Sequence, residues 1–208
     1  IVAGGCGSRV KSAVIPKQFI EIGGVPVIVI TVRAFLAVEE IDMAYVGIKP
    51  DWHEYTNELF ERFGIDKERV RVIDGGADRN GTVMNIAEAI VAEHGKNEGD
   101  IILTHDAVRP FVTEKIIKDN IEAMAKHSAC GTYMPAADTI IRSDGEKVRE
   151  TLNRSELYQA QTPQTFKLGD LRRNYYSLSE EQNKKLTDTC SVFTACNEDI
   201  YLVVGDAL

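Results

Sequence analysis

The stretch IVAGGCGSRVKSAVIPKQF, residues 1–19, begins with a short apolar run and turns at once into a loop with glycines at positions 4, 5 and 7. This pattern is typical of a buried strand that ends in a tight loop. Arg9 follows the loop, and Lys17 stands directly behind Pro16. Glycines let backbone N–H groups approach an anion without a Cβ in the way. The stretch therefore predicts a phosphate-binding loop accompanied by two cations.

The glycine loop differs from two common phosphate-binding patterns. Residues 4–9 contain no lysine followed by serine or threonine, so the P-loop pattern GxxxxGK[ST] is absent there. The dinucleotide pattern GxGxxG lacks its third glycine, because Val10 stands at that position. A nicotinamide-dependent dehydrogenase is therefore disfavoured. The planar guanidinium of Arg9 suits two phosphate oxygens, and the compact ammonium of Lys17 suits a reacting phosphoryl group.

The composition limits the class of protein. The 208 residues are 44% hydrophobic and 27% charged, which predicts one α/β domain over residues 1–208 with its own hydrophobic core. The formal net charge of −8 disfavours general nucleic-acid binding, for which a basic surplus is usual. We see no apolar run of membrane-spanning length and no signal segment, so we expect no membrane partner and a cytoplasmic location.

The cysteines do not follow a metal-binding or disulfide pattern. No two are spaced as CxxC, and no histidine stands at ligand spacing from them. A zinc site is therefore disfavoured, and we interpret the cysteines as small buried residues in a reducing compartment. They are Cys6, Cys130, Cys190 and Cys196.

Apolar strand patterns alternate with helical patterns along most of the chain. Strands are predicted at residues 43–48, 69–76, 130–136 and 200–206, with another inside 100–111. Helices are predicted at residues 55–64, 79–95, 113–127 and 170–186, with Thr113 as an N-cap and Gly95 as a C-cap. Residues 25–40 are apolar on all sides, which is typical of a buried helix, but their β-branched residues leave a strand as the alternative. The alternation predicts an α/β fold with a mostly parallel sheet and helices on both faces.

Residues 138–165 interrupt this alternation. The pair Asp144–Gly145 is a hairpin-turn signal between two strand-like runs. We therefore predict a protruding β-arm, at about residues 138–160, that leaves the main sheet.

Polar clusters follow three of the strand-like runs, at residues 4–9, 75–82 and 104–110. In an open α/β sheet, ligands bind outside the carboxyl ends of the strands. We therefore expect the three clusters to lie at one edge of the sheet and to form an anion-binding site.

The chain resembles the CTP-dependent cytidylyltransferases of polyol phosphates. The resemblance depends on five motifs in the family's order: AGGCGSR followed by PKQF, GGADRN, THDAVRPF, NRSELYQAQTPQTF and LTDTCSVF. Two branches fit, one acting on ribitol 5-phosphate and one on 2-C-methyl-D-erythritol 4-phosphate in isoprenoid synthesis. Three of the motifs (GGADRN, HDAVRPF and QTPQTF) are closer to the ribitol branch of teichoic-acid synthesis. Ribitol 5-phosphate is therefore the first prediction, and the methylerythritol substrate is the alternative.

The resemblance implies a Rossmann-like nucleotidyltransferase fold whose β-arm clasps a second subunit. The implied reaction transfers a cytidylyl group from CTP to the polyol phosphate and releases pyrophosphate, with Mg²⁺ as cofactor. The implied partners are CTP, the polyol phosphate and a second copy of the chain. Because the phosphate nucleophile is already ionised near neutral pH, no general base is needed. We therefore expect His105 to orient its loop rather than to transfer protons.

The resemblance also implies roles for individual residues. Three residues are implied as catalytic cations: Arg9, Lys17 and Arg154. The nucleotide is expected to contact Gly4, Gly5, Gly7, Gly76, Ala77 and Thr82. The polyol phosphate is expected to contact Asp106, Arg109, Thr139, Thr162 and Thr187, with Asp106 also near Mg²⁺. Thr139 and Arg154, on the arm, are expected to reach the substrate of the second subunit.

The chain departs from the family pattern in two places. Ala77 stands where the family commonly has aspartate, so only a backbone contact is expected there. The family usually continues past its last strand with a lysine-containing segment, whereas the given sequence ends at VVGDAL, so either this segment lies outside the given sequence or one cation of the site is absent. An inactive nucleotide-binding homologue is therefore a further alternative.

Overall fold

The computed structural model describes residues 1–4, 15–97 and 99–206. The predictions for Gly5, Cys6, Gly7 and Arg9 lie outside the described residues. The α-helices are α1 (Val27–Leu36), α2 (His53–Arg62), α3 (Arg79–His94), α4 (Glu114–Ala123), α5 (Leu168–Ser177), α6 (Glu180–Asn183) and α7 (Cys190–Ala195). The strands are β1 (Glu21–Ile22), β2 (Val25–Pro26), β3 (Ala44–Ile48), β4 (Val70–Asp74), β5 (Ile101–Thr104), β6 (Ala129–Pro135), β7 (Ile141–Ser143), β8 (Val148–Thr151), β9 (Tyr158–Lys167) and β10 (Tyr201–Val204). Short 3₁₀ helices occupy Lys17–Phe19, Pro50–Trp52 and Arg154–Glu156.

The main sheet is mixed, which corrects the prediction of a mostly parallel sheet. Four strands lie in the order β10-β6-β9-β5, with β10 parallel to β6. Strand β9 runs antiparallel to both of its neighbours, β5 and β6. The physical reason is the connection: the chain leaves β6 through the hairpin β7–β8 and returns directly beside it, without a crossover helix. The predicted arm also extended too far, because β9 already pairs with the end of β6 from Tyr158 onward.

The first residues of the chain connect this sheet to a second, parallel pair formed by β3 and β4. The Val2 N–H donates to the His105 carbonyl at 2.7 Å, and the Val2 carbonyl accepts from the Ala107 N–H at 3.0 Å. On the other side, the Ala3 N–H donates to the Gly47 carbonyl at 2.9 Å. Both bridges of Val2 are parallel. Residues 1–3 therefore act as the strand between β3 and β5, in agreement with the buried strand end predicted for IVAG.

The helix predicted for residues 25–40 forms as α1, so the strand alternative is wrong. Its β-branched residues Val29 and Val32 are completely buried, and such packing outweighs their modest helix propensity. The hydroxyl of Thr31 lies 2.9 Å from the Ala107 carbonyl, which ties α1 to the loop after β5. Two predicted caps are also confirmed. The Thr113 side chain accepts from the Ile116 N–H at the start of α4, and Gly95, with φ +83°, follows the last residue of α3.

The helices cover both faces of the sheet, as predicted. Neighbouring residues of one strand enter different hydrophobic clusters, since Val46 packs in one cluster and Tyr45 in the other. Because successive strand side chains point to opposite faces, the two clusters lie on opposite sides of the sheet. The first cluster takes its helical residues from α1, α2 and α4, and the second takes them from α3, α5 and α7.

The hairpin β7–β8 is exposed along its whole length. Its turn has the predicted chemistry: Gly145 has φ +101°, and an oxygen of Asp144 accepts from the N–H groups of Glu146 and Lys147 at 3.0 and 2.9 Å. Two apolar side chains on it, Ile141 and Val148, are 45% and 62% exposed. The hairpin therefore offers apolar surface that the described part of the chain leaves uncovered.

Two of the cysteines, Cys130 and Cys190, are buried as predicted, and Cys196 is half-buried. In the part of the chain that the structure describes, no helix combines the length and the apolar character needed to cross a lipid bilayer.

Replacing Phe166 by alanine should strongly destabilise the fold. This side chain of β9 is completely buried and stacks on Phe193 of α7, with ring centroids 5.0 Å apart. The Phe166→Ala variant should lose about 3–5 kcal/mol of the free energy of unfolding, because truncation leaves a cavity. Urea denaturation measures this loss. Phe111→Ala, at a ring that is 61% exposed, is the control and should change stability by about 0.5 kcal/mol or less.

Candidate functional site

A cavity of about 300 Å³ opens at the carboxyl end of β5. It contains four of the residues predicted to bind the polyol phosphate: Asp106, Arg109, Thr162 and Thr187. The other lining residues are Arg79, Ala160, Gln161, Gln164 and Asp188. The sheet therefore brings together residues from three separate motifs, as expected for strand ends that meet at one edge.

The carboxylate of Asp106 lies between two guanidinium groups. Arg79 donates through Nε to Oδ1 at 3.1 Å, and Arg109 donates through Nε to Oδ2 at 3.1 Å. Burial raises the pKa of Asp106, but the charges and hydrogen bonds of Arg79 and Arg109 outweigh it, so the pKa lies below its ordinary value. Asp106 is therefore ionised at neutral pH. The three side chains together carry one net positive charge at the cavity wall.

On its buried side, the loop that carries Asp106 is connected to β9 through His105. The ring is completely buried, with Nε2 3.0 Å from the Arg109 carbonyl and Nδ1 2.9 Å from the Thr162 hydroxyl. A carbonyl can only accept, so Nε2 carries the proton and Nδ1 accepts from Thr162. Burial lowers the pKa of His105 to about 4, so the imidazole is neutral. These contacts fit the predicted orienting role.

A second glycine-containing loop, residues 75–78 after β4 (called the glycine loop from here on), leads into the start of α3, where Arg79 lines the cavity. The Gly76 N–H donates to the Thr82 hydroxyl at 2.9 Å. A Cβ on Gly76 would lie 2.3 Å from the Gly81 carbonyl carbon, so no other residue fits there without moving the backbone. A Cβ on Gly4 would lie 3.4 Å from the Thr82 hydroxyl. Three residues predicted to contact the nucleotide thus lie together, while the side chain of Ala77 is exposed.

The turn that contains Thr187 is fastened to the sheet and to α3. Gln164 of β9 is buried and donates to the Asp188 carboxylate at 2.6 Å, and its Oε1 accepts from the Thr189 N–H at 3.2 Å. Asn80 of α3 donates to the Asp188 carbonyl at 3.2 Å. These bonds fix the position of the turn without using the Thr187 side chain.

Sequence reasoning missed four polar residues that line the cavity: Arg79, Gln161, Gln164 and Asp188. Each lies inside a motif that was recognised, GGADRN, QTPQTF or LTDTCSVF. The sequence feature that could have identified them is their position beside residues that were predicted to bind substrate. Their individual roles depend on partners more than 20 positions away along the chain, which the sequence pattern does not identify.

Three other predicted residues do not line this cavity in the described chain. Lys17 lies in the 3₁₀ helix beside Gln18, whose amide donates to the Ala3 carbonyl at 2.7 Å, so this turn adjoins the first strand. Thr139 and Arg154 are exposed at the base of the hairpin, where Arg154 donates to the Ala137 carbonyl at 2.8 Å. A role for these two residues in the site of a second subunit stays a prediction.

A larger cavity of about 560 Å³ lies at the opposite ends of β3 and β5. Its lining is mainly apolar, with Ile86, Ile90 and Ile102 among its residues, and its polar rim includes the acidic residues Glu40 and Asp42. An acidic, apolar cavity repels phosphate groups. The smaller cavity, with its arginines, is therefore the candidate active site.

Comparison with known proteins gives a consistent result. The model of the family "IspD: 2-C-methyl-D-erythritol 4-phosphate cytidylyltransferase" matches residues 1–208. The 4-diphosphocytidyl-2C-methyl-D-erythritol synthase of Anaerococcus prevotii DSM 20548 is 28% identical, with a TM-score of 0.81 over 99% of this chain and 87% of that chain. A further synthase of the same name is 30% identical, with a TM-score of 0.80 over 92% of this chain and 86% of that chain.

The 2-C-methyl-D-erythritol 4-phosphate cytidylyltransferase of Francisella tularensis is 25% identical, with a TM-score of 0.82 over 99% of this chain and 89% of that chain. These findings favour the methylerythritol branch, which the motifs had placed second, and they give no support to the ribitol branch. Since the family model spans the whole of the given sequence, this chain belongs to the 2-C-methyl-D-erythritol 4-phosphate cytidylyltransferase family.

Proposed function

We propose that the protein transfers the cytidylyl group of CTP to 2-C-methyl-D-erythritol 4-phosphate and releases pyrophosphate. The family match over the whole sequence carries this proposal. The cationic cavity at the carboxyl end of β5 supports it, because both substrates are phosphate anions. In a protein with a formal net charge of −8, such anions need local cations to approach one another.

We assign the nucleotide to the side of the site formed by the glycine loop and the start of α3. The close approach of Gly76 to Gly81 requires a residue without a side chain, which lets a cytosine ring approach the backbone of the loop. Thr82 holds this loop through its bond from the Gly76 N–H. A backbone contact at Ala77 is compatible with its small side chain. Gly4, beside Thr82, then lies on the path towards the triphosphate.

We assign the methylerythritol phosphate to the cavity itself. Arg109 is half-exposed, and among the described residues it donates to Asp106 through a single nitrogen, so its remaining N–H groups can reach a phosphate. Thr162 and Thr187 line the same cavity. Thr187 supplies a hydroxyl donor, whereas the Thr162 hydroxyl donates its single proton to His105 and helps to hold the loop of Asp106. Hydroxyl and guanidinium donors together suit a substrate that carries both a phosphate and several alcohols.

The reaction is an in-line attack of the substrate phosphate oxygen on the α-phosphorus of CTP, with pyrophosphate as the leaving group. The protein therefore has to orient two anions and to stabilise the charge that develops in the transition state. Fixed donors perform this task without reorganising during the step. His105 plays no part in proton transfer in this scheme, since both of its nitrogens are engaged in fixed contacts.

Mg²⁺ is the cofactor that the family resemblance implies. Among the described residues there is no group of three or more histidine, cysteine or acidic side chains that could hold a metal by itself. Mg²⁺ is, however, usually held by one or two carboxylates together with substrate phosphates. The ionised Asp106 at the cavity wall fits that role, because each carboxylate oxygen keeps a lone pair beyond its bond to arginine. When bound, the ion would neutralise charge on the phosphates.

The purified protein should release pyrophosphate from CTP only when 2-C-methyl-D-erythritol 4-phosphate is added. Ribitol 5-phosphate, tested at the same concentration, should give a much lower kcat/KM, because a cavity shaped for one polyol discriminates through small steric differences. A coupled pyrophosphate assay measures both rates. Faster turnover with ribitol 5-phosphate would reverse the choice of substrate, and no turnover with either would favour the inactive homologue.

Lys17→Ala should lower kcat by about 10²–10³-fold, the usual cost of losing one fixed donor to a developing charge. Lys17 forms no ion pair within the described residues, which leaves its ammonium free for a phosphate. Lys67→Ala is the matched control, because Lys67 is 67% exposed and pairs with Glu61 near the opposite end of the sheet. Both variants should melt at nearly the wild-type temperature. A Lys17→Ala enzyme as fast as the control would remove this residue from the mechanism.

We further propose that the protein is a homodimer in which the hairpin β7–β8 contacts the second subunit. The exposed side chains of Ile141 and Val148 support this proposal, because a second chain would bury them. Arg154 and Thr139, at the base of the hairpin, would then lie near the substrate phosphate of the neighbouring site.

Arg154→Ala should raise the KM for the methylerythritol phosphate while it leaves the KM for CTP nearly unchanged. The guanidinium would contact only the polyol phosphate, so the KM for CTP should not change. Losing a contact that is equally strong in the ground state and the transition state raises the KM and leaves kcat unchanged. Arg62→Ala, at an exposed residue that ends α2, is the control. Sedimentation equilibrium tests the dimer directly. A fully active monomer would contradict the proposed arrangement.

A further inference from the structure

The guanidinium of Arg79 connects two loops of the candidate active site. Its Nε donates to the Asp106 carboxylate at 3.1 Å, and its Nη1 donates to the Thr189 hydroxyl at 2.8 Å. Asp106 follows β5, and Thr189 ends the turn that contains Thr187. Arg79 is itself the first residue of α3, directly after the glycine loop. One side chain thus joins the three segments that form the site.

The start of α3 is a firm base for this connection. Asp78 caps the helix by accepting from the Gly81 N–H at 2.7 Å. The next residue, Asn80, is buried and bonds to the same turn as Arg79, at the Asp188 carbonyl and at the Thr189 hydroxyl. The Thr189 hydroxyl therefore accepts from Arg79 and donates to Asn80, which uses its single proton.

A third nitrogen of Arg79 sets it apart from an ordinary surface ion pair. Nη2 is buried and has no hydrogen-bond partner among the described residues. An unpaired buried N–H group lowers stability, so a side chain selected only for stability would not be expected to leave one. The planar guanidinium reaches Asp106 and Thr189 at the same time, which an ammonium group cannot do from one point.

We propose that Arg79 is a positioning residue that holds Asp106 and the Thr187–Thr189 turn in a fixed place relative to the glycine loop. It thereby sets where the polyol phosphate lies relative to the bound nucleotide. This inference deepens the proposed function and depends on it. Arg109 cannot replace Arg79, because Arg109 reaches Asp106 from the same loop, three residues away, and does not connect that loop to α3.

The first test replaces Arg79 by lysine, which keeps the charge and removes the fork. The kcat/KM of Arg79→Lys should fall about 10–100-fold, as is typical when a group that orients an active-site carboxylate is lost. Arg172→Lys is the matched control. Arg172 also forms an ion pair with a carboxylate, because it donates to the two oxygens of Glu88 in α3 at 2.8 and 2.9 Å. The side chain of Arg172 is 21% exposed and that of Arg79 is 25% exposed. The control should keep wild-type kinetics, and equal kinetics in both variants would overturn the proposal.

A double-mutant cycle separates positioning from a general loss of stability. Thr189→Val removes one acceptor of Arg79, together with the bond that Thr189 donates to Asn80, with little change of shape. If Arg79 acts through this link, Arg79→Lys combined with Thr189→Val should be no slower than the slower single variant. If the two fold-losses multiply, the link is not the source of the effect and the proposal fails. Should Arg79→Lys not fold, Thr189→Val alone decides, since it cuts the same link and must lower kcat/KM.

Calorimetric titration with CTP distinguishes failure of this inference from failure of the proposed function. If the wild-type protein does not turn over CTP with the methylerythritol phosphate, the proposed function fails, but the affinities for CTP can still be compared. Arg79→Lys should then bind CTP in the presence of Mg²⁺ about 10-fold or more weakly than Arg172→Lys, since Asp106, the proposed Mg²⁺ ligand beside the CTP phosphates, loses its orientation. If the wild-type protein is active and the two variants bind CTP equally and turn over equally, only the role of Arg79 is refuted.

Discussion

The backbone pairing of residues 1–3 is the constraint on which the site depends. Val2 bonds to His105 and Ala107 on one side, while Ala3 bonds to Gly47 on the other. These bonds join the β3–β4 pair to the four-stranded sheet, and they set both in one register. The glycine loop after β4 and the loop with Asp106 after β5 consequently emerge at the same edge. A slip of one residue would turn every side chain of this segment to the opposite face, so the register is strongly specified.

Charge is arranged within the site before any substrate arrives. Two guanidinium groups facing one cavity would repel each other, and Asp106 between them removes much of that repulsion. The same carboxylate fixes their orientation, while His105 and Thr162 hold its loop from the buried side. An acidic protein can therefore keep cations ready for phosphates without an unpaired concentration of positive charge. Such preorganisation is the main way in which enzymes stabilise developing charge.

The sequence predicts best where local chemistry decides the structure, as at the Thr113 cap and the Asp144–Gly145 turn. It fails for β9, whose segment QTPQTF is polar and contains a proline, both unusual in a central strand. The buried Gln164 and Thr165 are satisfied by distant partners, namely the Thr189 N–H and Asn120. Arg79 was missed because a charged residue at the start of a helix normally faces solvent. Its partners, Asp106 and Thr189, also lie far away along the chain.

The irregular pairing of β9 explains how an antiparallel strand can serve the site. Gly131 pairs with Gln164 and Tyr133 with Ala160, so three residues of β9 lie opposite the single residue Thr132. Such a bulge bends a strand and redirects its side chains, often beside active sites. Here the extra residues include Gln161 and Thr162, both of which line the cavity. The Thr132 hydroxyl fastens the bulge by donating to the Pro163 carbonyl at 2.8 Å. Strand β9 begins one residue after the 3₁₀ helix Arg154–Glu156, so it connects the base of the hairpin to the cavity. A second subunit that engaged the hairpin would therefore act on the same strand that positions Thr162.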